Sequence, residues 1–446
     1  MTTVLPDPAA TLAVVGGGLS LDSSGVSDKY GAADNVSAAG NVNNSGTGHR
    51  RGEAGYRRVT VAMFAAGLAT FSVLYAPQPV LPLLASRFGV GADAATLTIS
   101  LTTLALAATM LIAGPFSDVR GRTGLMKASL VASAVVSLAC AAAPSWPVLL
   151  VLRTVQGVTL AGLPAVAMAY LREEVHLNDH GAATGAYVAG TAIGGMTGRL
   201  VAGGLADLAG WRAALAGVAV VALASAAAVQ VVLPPSRGFV AMPAGPAVFW
   251  GRAVQVLRDP VQLALAGVGA TTMGTFVAIY NALGFRLTAA PYGLSIAVAG
   301  LVFLVYPIGS VASATAGRLA DRFSRRQVLP AGAVLMAAGI AVTLARPLWL
   351  VVLGVAMMTA GFFTAHGVAS GWVALRAHAA GASAGQASAF YLLAYYLGSS
   401  IAGGFAGLAW DRGGWPVVAV MTLGLATAAF ALAVALSRTR SLLPQR

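Results

Sequence analysis

The chain has 446 residues, of which 58% are hydrophobic and only 9% charged, with a mean hydropathy of +0.80. That composition excludes a water-soluble globule of ordinary surface and predicts an all-α integral membrane protein. The net charge of +13 comes from basic residues scattered through short loops and not gathered on one soluble face, which excludes nucleic acid as the partner.

Residues 1–55 are rich in Gly, Ser, Asn, Ala and Asp, and their one apolar patch, Thr11 to Leu21, is broken by glycines. They are expected to form a disordered cytoplasmic tail. No basic stretch precedes a long apolar core there, so a cleaved signal peptide is not expected. Twelve runs of about 20 apolar residues, the length that crosses a hydrocarbon core, then follow. They lie near 58–85, 95–117, 125–143, 147–170, 183–205, 212–233, 260–284, 294–317, 328–345, 348–372, 384–409 and 415–436. The first six predict an N-terminal six-helix bundle over 56–233, and the last six a C-terminal bundle over 260–436. Between them, 234–259 carries four prolines and an amphipathic stretch from Val248 to Leu257, and reads as a cytoplasmic linker. Residues 437–446 are left as a second cytoplasmic tail.

With the N-terminus inside, twenty Lys and Arg fall on the cytoplasmic side, against Arg87, Arg212, Arg286, Arg346 and Arg412 on the other. The excess of cations places both termini in the cytoplasm. The single cysteine, Cys140, lies in the third run and excludes an intramolecular disulfide.

The second half repeats the first. Gly114, Asp118 and Arg122 recur as Gly317, Asp321 and Arg325, each 203 positions later. Tyr187, Gly194, Asp207, Gly210 and Trp211 recur as Tyr391, Gly398, Asp411, Gly414 and Trp415, each 204 positions later. Duplication across an even number of crossings preserves orientation and predicts two bundles related by an axis along the membrane normal. That is an architecture of secondary transporters, with the substrate site between the halves.

The stretch from Gly114 to Gly124 resembles the cytoplasmic signature of the major facilitator superfamily, and Gly317 to Arg326 follows the same pattern. The first copy departs from it at Val119 and Thr123; the second has Ser324 where a glycine is usual. Arg153-Thr-Val-Gln156-Gly157 resembles the family's fourth-helix motif, whose arginine is implicated in proton coupling or anion contacts. Gly190, Gly194 and Gly198 match part of the antiporter motif of the fifth helix, with Gly195 in place of a proline and Arg199 in place of the last glycine. Tyr75-Ala-Pro77-Gln78-Pro79 resembles the opening of the bacterial multidrug and arabinose-efflux-like branch, and Tyr280-Asn281 stands at the corresponding place in the seventh helix. The resemblance covers 56–436. It implies the twelve-helix major facilitator fold and proton-coupled efflux of a small organic compound by alternating access. It also implies a monomer in the bacterial inner membrane, without cofactor. Uptake of a small metabolite is the alternative. A membrane-embedded enzyme would need clustered His, Asp or Cys at membrane depth, and a channel a filter or ring-forming motif; neither is present.

Chemistry assigns roles to the same residues. An aspartate at a cytoplasmic helix end accepts hydrogen bonds from a facing helix N-terminus, here near Ser383 to Gln386, or pairs with Arg122. Gly114, Asp118, Arg122, Gly317, Asp321 and Arg325 are therefore expected to form a conformational latch, the alternative being a solvated loop that only sets orientation. Arg153 and Arg199 lie at depths where an arginine is costly and marks a functional or paired position. With Tyr75, Gln78, Gln156, Tyr280 and Asn281 they are the candidate lining of a central cavity. A packing kink is the competing reading of the prolines, and a snorkelling side chain that of Arg153. All fourteen acidic residues fall in the tail, in loops or at helix ends. Proton coupling is left with Asp93, Arg153, Glu173 and His366, although a lone intramembrane histidine is more often a hydrogen-bonded packing residue. His176 and His180 have metal-ligand spacing but lie in a short acidic loop, and no metal site is expected.

Overall fold

The computed structural model describes residues 48–241 and 246–439, and its regular structure is helical. Long apolar runs become helices because a bilayer core offers no water to backbone N–H and C=O groups. The helices are α1 (Ala54–Tyr75), α2 (Leu81–Phe88), α3 (Ala92–Arg120), α4 (Arg122–Ala141), α5 (Trp146–Leu160), α6 (Gly162–Glu174) and α7 (His180–Val232) in the first half. The second half holds α8 (Pro246–Leu257), α9 (Pro260–Thr288), α10 (Ile296–Gly300), α11 (Tyr306–Phe323), α12 (Arg325–Val342), α13 (Leu348–Ala379) and α14 (Ala384–Ser437). Short 3-10 turns at Gln78–Val80 and Leu301–Val305 carry α1 into α2 and α10 into α11.

Among the described residues, nine helical stretches are long and apolar enough to cross a membrane. Two of them contain α7, of 53 residues, and α14, of 54. At 1.5 Å per residue each is about 80 Å long, more than twice a hydrocarbon core, so each holds two crossings. Each breaks where it must turn: α7 at Gly210, φ 80°, and α14 at Gly413–Gly414, with φ 63° at Gly414. These left-handed torsions suit glycine, and they fall at repeat-equivalent positions. Helix α12 starts 203 residues after α4, at the repeat-equivalent position.

Within the first half, α1 lies against α7 along a stripe of glycines. A Cβ at Gly190, Gly194 or Gly198 would overlap the carbonyls of Phe64, Leu68 and Ser72 in turn, so only glycine permits this approach. The Ser72 hydroxyl donates to the Gly194 carbonyl at 2.9 Å, closing the seam.

The buried apolar core shows how the halves meet. One cluster mixes residues of both, for example Leu84, Ile99 and Trp211 with Phe276, Tyr306 and Trp415. Two further clusters stay within one half each: Tyr56, Met126, Tyr170 and Val229 in the first, Leu265, Leu329, Trp372 and Leu436 in the second. These separate clusters lie toward the face that holds residues 49–58 and 437–439, called the terminal face below. The halves share an apolar core toward the opposite face and keep separate cores toward the terminal one, where Gly385 still lies against Arg172, whose Nη2 would be 3.8 Å from a Cβ there.

One sequence expectation requires correction. The tail thought disordered to residue 55 is ordered from Gly48: the His49 N–H donates to the Glu174 carbonyl at 2.9 Å, His176 N–H to the His49 carbonyl at 3.0 Å, and Arg51 N–H to the Asp179 carboxylate at 3.0 Å. A two-way backbone bridge holds a polar segment that burial alone would leave loose. The rest of that tail, residues 242–245 of the linker and the last seven residues lie outside the described residues. The start of the linker is held as well: the Glu174 carboxylate accepts from the Ser236 hydroxyl, from Arg237 N–H at 2.7 Å and from Gly238 N–H at 3.0 Å.

Candidate functional site

A polar chain crosses between the halves in the middle of the molecule. Arg199, on α7, donates through Nε to Gln78 Oε1 at 2.6 Å and through Nη1 to the Gly195 carbonyl at 2.6 Å. Gln78 Nε2 donates to Asn281 Oδ1 at 2.8 Å, and Asn281 Nδ2 to the Gly403 carbonyl at 3.1 Å. Gln78 sits in the 3-10 turn that Pro77 and Pro79 impose after α1, and Asn281 lies 203 residues later on α9. Gly403 is the repeat equivalent of Arg199, 204 residues on, so one guanidinium breaks an otherwise matched arrangement.

Rings enclose the guanidinium. Its carbon lies 4.7 Å from the ring centres of Tyr75 and Tyr306, 5.0 Å from Phe303 and 5.9 Å from Tyr280. The aromatic array continues away from it: Tyr306 to Phe276 at 5.8 Å, Phe276 stacked on Phe362 at 4.1 Å, Phe362 stacked on His366 at 5.6 Å, and His366 beside Tyr395 at 4.8 Å. His366 Nδ1 and the Tyr391 hydroxyl are hydrogen-bonded at 2.8 Å, and the Tyr280 hydroxyl and Thr359 Oγ1 at 2.8 Å.

The face opposite the termini carries two matched clamps. The Asp207 carboxylate accepts from Ile296 N–H at 3.1 Å and Ala297 N–H at 2.9 Å, at the start of α10. The Asp411 carboxylate accepts from Ala92 N–H at 3.3 Å and Asp93 N–H at 2.9 Å, at the start of α3. Both donors and acceptors are 204 residues apart (296−92, 411−207). Each clamp puts an anion on the positive end of a helix of the other half, where the first N–H groups have no helical partner. Thr96 Oγ1 to the Gly404 carbonyl, 3.2 Å, and Ser400 Oγ to the Ser100 carbonyl, 2.6 Å, extend the α3–α14 seam.

Of the residues expected at the terminal-face latch, Asp118 and Arg122 pair within the first half. Arg122 pairs with Asp118 at 2.5 Å and with Glu173 at 2.9 Å. Asp321 is exposed, and a Cβ at Gly114 or Gly317 would meet nothing within 4 Å. Gly121 and Ser324, which open α4 and α12, share one unusual backbone conformation with φ 95° and 98°.

Of the expected cavity residues, Tyr75, Gln78, Arg199, Tyr280 and Asn281 come together; Arg153 and Gln156 form a separate group. Arg153 donates through Nε to Thr98 O at 2.8 Å, through Nη2 to Leu74 O at 2.8 Å, and through Nη1 to Val73 O at 3.3 Å and to Gln156 Oε1. It is 2% exposed, so it does not snorkel. Of the expected coupling groups, Glu173 holds Arg122, Asp93 lies beside the Asp411 clamp and caps Ala94 N–H at 2.6 Å, and only His366 is in the aromatic array. The His176–His180 pair serves the loop: His180 Nε2 contacts the Val175 carbonyl at 2.6 Å, and His176 Nδ1 accepts from Asn178 N–H at 3.3 Å. Sequence reasoning missed the clamp role of Asp207 and Asp411, although their repetition was visible, and the rings of Phe276, Phe303, Tyr306, Phe362 and Tyr395.

The sequence profile of the Major Facilitator Superfamily matches residues 60–310 and 261–445, which together span both halves. The chain belongs to the Major Facilitator Superfamily. It is 39% identical over 381 residues to the uncharacterized MFS-type transporter YybF of Bacillus subtilis, covering 85% of this chain and 93% of that one. It is 39% identical over 366 residues to the inner membrane transport protein YnfM of Escherichia coli, covering 82% and 87%. Among solved structures, a bacterial homologue of the human lysosomal transporter Spinster, in an inward-facing and unoccupied conformation, matches with TM-score 0.67 at 15% identity over 85% of this chain and 94% of that one. A D-xylose–proton symporter matches with TM-score 0.64 at 16% identity, covering 84% and 96%. At such identities these two share the fold. As a member of the superfamily the protein is a multi-pass secondary transporter.

Proposed function

We propose that this superfamily member exports a small organic compound from the cytoplasm in exchange for protons, by alternating access. The observation that carries the reading is the asymmetry between the two faces: paired carboxylate clamps and a shared core on one, separate cores and open glycines on the other. With the termini cytoplasmic, as the cation distribution predicts, this is the state closed to the periplasm and accessible from the cytoplasm. Substrate would enter from the terminal face and meet the Arg199–Gln78–Asn281 bridge. Release outward requires that bridge and both clamps to part, while Asp118 leaves Arg122 for the N-terminus of α14 near Ser383 to Gln386. Two discrete sets of contacts, each made in one state only, are what a rocking two-state equilibrium needs.

Gly190, Gly194 and Gly198, which match part of the antiporter motif, form the α1–α7 seam, and that partial match supports export. For coupling we assign His366 with Tyr391, because Asp93 and Glu173 lie at the two faces and Arg153 is enclosed by carbonyls. Arg153 becomes a structural pin joining α1, α3 and α5.

The test is flux into inverted membrane vesicles with and without an acid-inside pH gradient. Export by exchange predicts gradient-dependent accumulation that an ionophore abolishes. Accumulation confined to right-side-out vesicles would replace it with uptake.

A further inference from the structure

We propose that the central site selects organic anions with a flat apolar body, the anionic group bound by Arg199 and the body by the adjoining rings; this deepens the transporter reading and rests on it. The starting point is the difference between two buried arginines. Arg153 is 2% exposed and Arg199 1%. All three nitrogens of Arg153 donate to oxygens. Arg199 has one nitrogen, Nη2, without a hydrogen-bond partner among the described residues, and the Tyr75 hydroxyl nearby has Ser399 for a polar side-chain neighbour. A buried donor left unmade is costly, more so when it carries charge, and proteins retain such groups where something else completes them.

The surroundings define what completes it. No carboxylate pairs with Arg199 among the described residues, whose ion pairs all involve other cations. The four rings present negative faces to the guanidinium and stabilise its charge, but a ring face is no substitute for a hydrogen-bond acceptor in the guanidinium plane. Gln78 and the Gly195 carbonyl hold Nε and Nη1 in place, so the free nitrogen is oriented before any ligand arrives. An oxyanion such as a carboxylate or sulfonate supplies the missing acceptor and the missing negative charge together. The Tyr75 hydroxyl, on a ring 4.7 Å from the same guanidinium, offers it a second donor.

Beside this anchor the array of Tyr306, Phe276, Phe362 and Tyr395 is apolar and ring-faced. Offset and edge-to-face contacts favour a flat ligand there. A lipophilic cation would meet Arg199 with no acid nearby to offset the repulsion. Export of an anion is also favoured by a membrane potential that is negative inside, so the same site suits the proposed direction.

Binding to the purified full-length protein in nanodiscs tests this, by calorimetry with three probes of one shape. These are naphthalene sulfonate, the neutral naphthalene sulfonamide, and a naphthylmethyl trimethylammonium cation. The sulfonate is expected to bind about tenfold or more tighter than either analogue, the equivalent of about one charge-assisted hydrogen bond. Arg199→Gln should bring it down to the level of the sulfonamide, and Arg199→Lys should restore part of the preference. If Arg199→Gln does not fold, Tyr75→Phe, which keeps the ring, should weaken the sulfonate alone. The proposal is overturned if the cation binds as well as the anion, if none of the three binds, or if the foldable variants leave the order unchanged. Sulfonate binding without flux in vesicles would sink the transporter reading and leave the site; flux of other compounds without sulfonate binding would do the reverse.

Discussion

Replacing both clamp carboxylates, Asp207→Asn with Asp411→Asn, should shift the protein toward the state open on the face opposite the termini. Each carboxylate accepts two backbone N–H bonds, at 3.1 and 2.9 Å for Asp207 and at 3.3 and 2.9 Å for Asp411. Asparagine keeps one acceptor oxygen and loses the charge, and both sites are partly open to solvent. The loss is therefore at the low end for a charged hydrogen bond on a helix terminus, about 1 kcal/mol per clamp. The two clamps have no shared partner, so the effects should add to about 2 kcal/mol, or roughly 30-fold in the open-to-closed ratio. The only cysteine, Cys140, is buried, so a Cys140→Ala background accepts spin labels at exposed Ser86 and Arg346, one in each half. Pulsed dipolar spectroscopy should then show a longer distance gaining population in the double variant. An unchanged distance distribution would refute the clamp role.

Ser324→Gly should stabilise the protein by about 1 kcal/mol, because a side chain is strained at φ 98° where the equivalent Gly121 has 95°; a rise in the detergent unfolding midpoint checks it. Arg153→Gln should lower that midpoint severely, by the equivalent of about 3 kcal/mol or more, since it takes the guanidinium donors from the buried Val73 and Leu74 carbonyls at the end of α1 and cuts the tie to α3. Retention of wild-type stability would return Arg153 to the list of cavity residues. His366→Gln should abolish gradient-driven flux while substrate exchange without a gradient survives; loss of both would make His366 a packing residue.

The helical rods, the repeat and the positions of Gln78 and Asn281 were legible because period, run length and offset are properties of the chain itself. The two arginines mark where legibility ends. Arg153 and Arg199 are the same residue type at similar depth, and only the number of carbonyls within reach separates a pin from an anchor. Asp207 and Asp411 were visible as a repeated string, but the helix ends they cap belong to the other half, and no local pattern records which distant N-terminus a carboxylate meets. The ordered segment from Gly48 was hidden for a similar reason, since its partners at Glu174 and Asp179 lie more than 100 residues away. Ser324 was visible as a departure from the glycine pattern, whereas its positive φ is a property of the fold.

The most direct measurement of proton-coupled exchange is the luminal pH of proteoliposomes holding the purified protein, acid inside, with potassium and valinomycin clamping the voltage. On addition of naphthalene sulfonate outside, antiport predicts that the lumen becomes more alkaline, because each substrate entering carries a proton out. Further acidification of the lumen, or no change while the sulfonate enters, would contradict it.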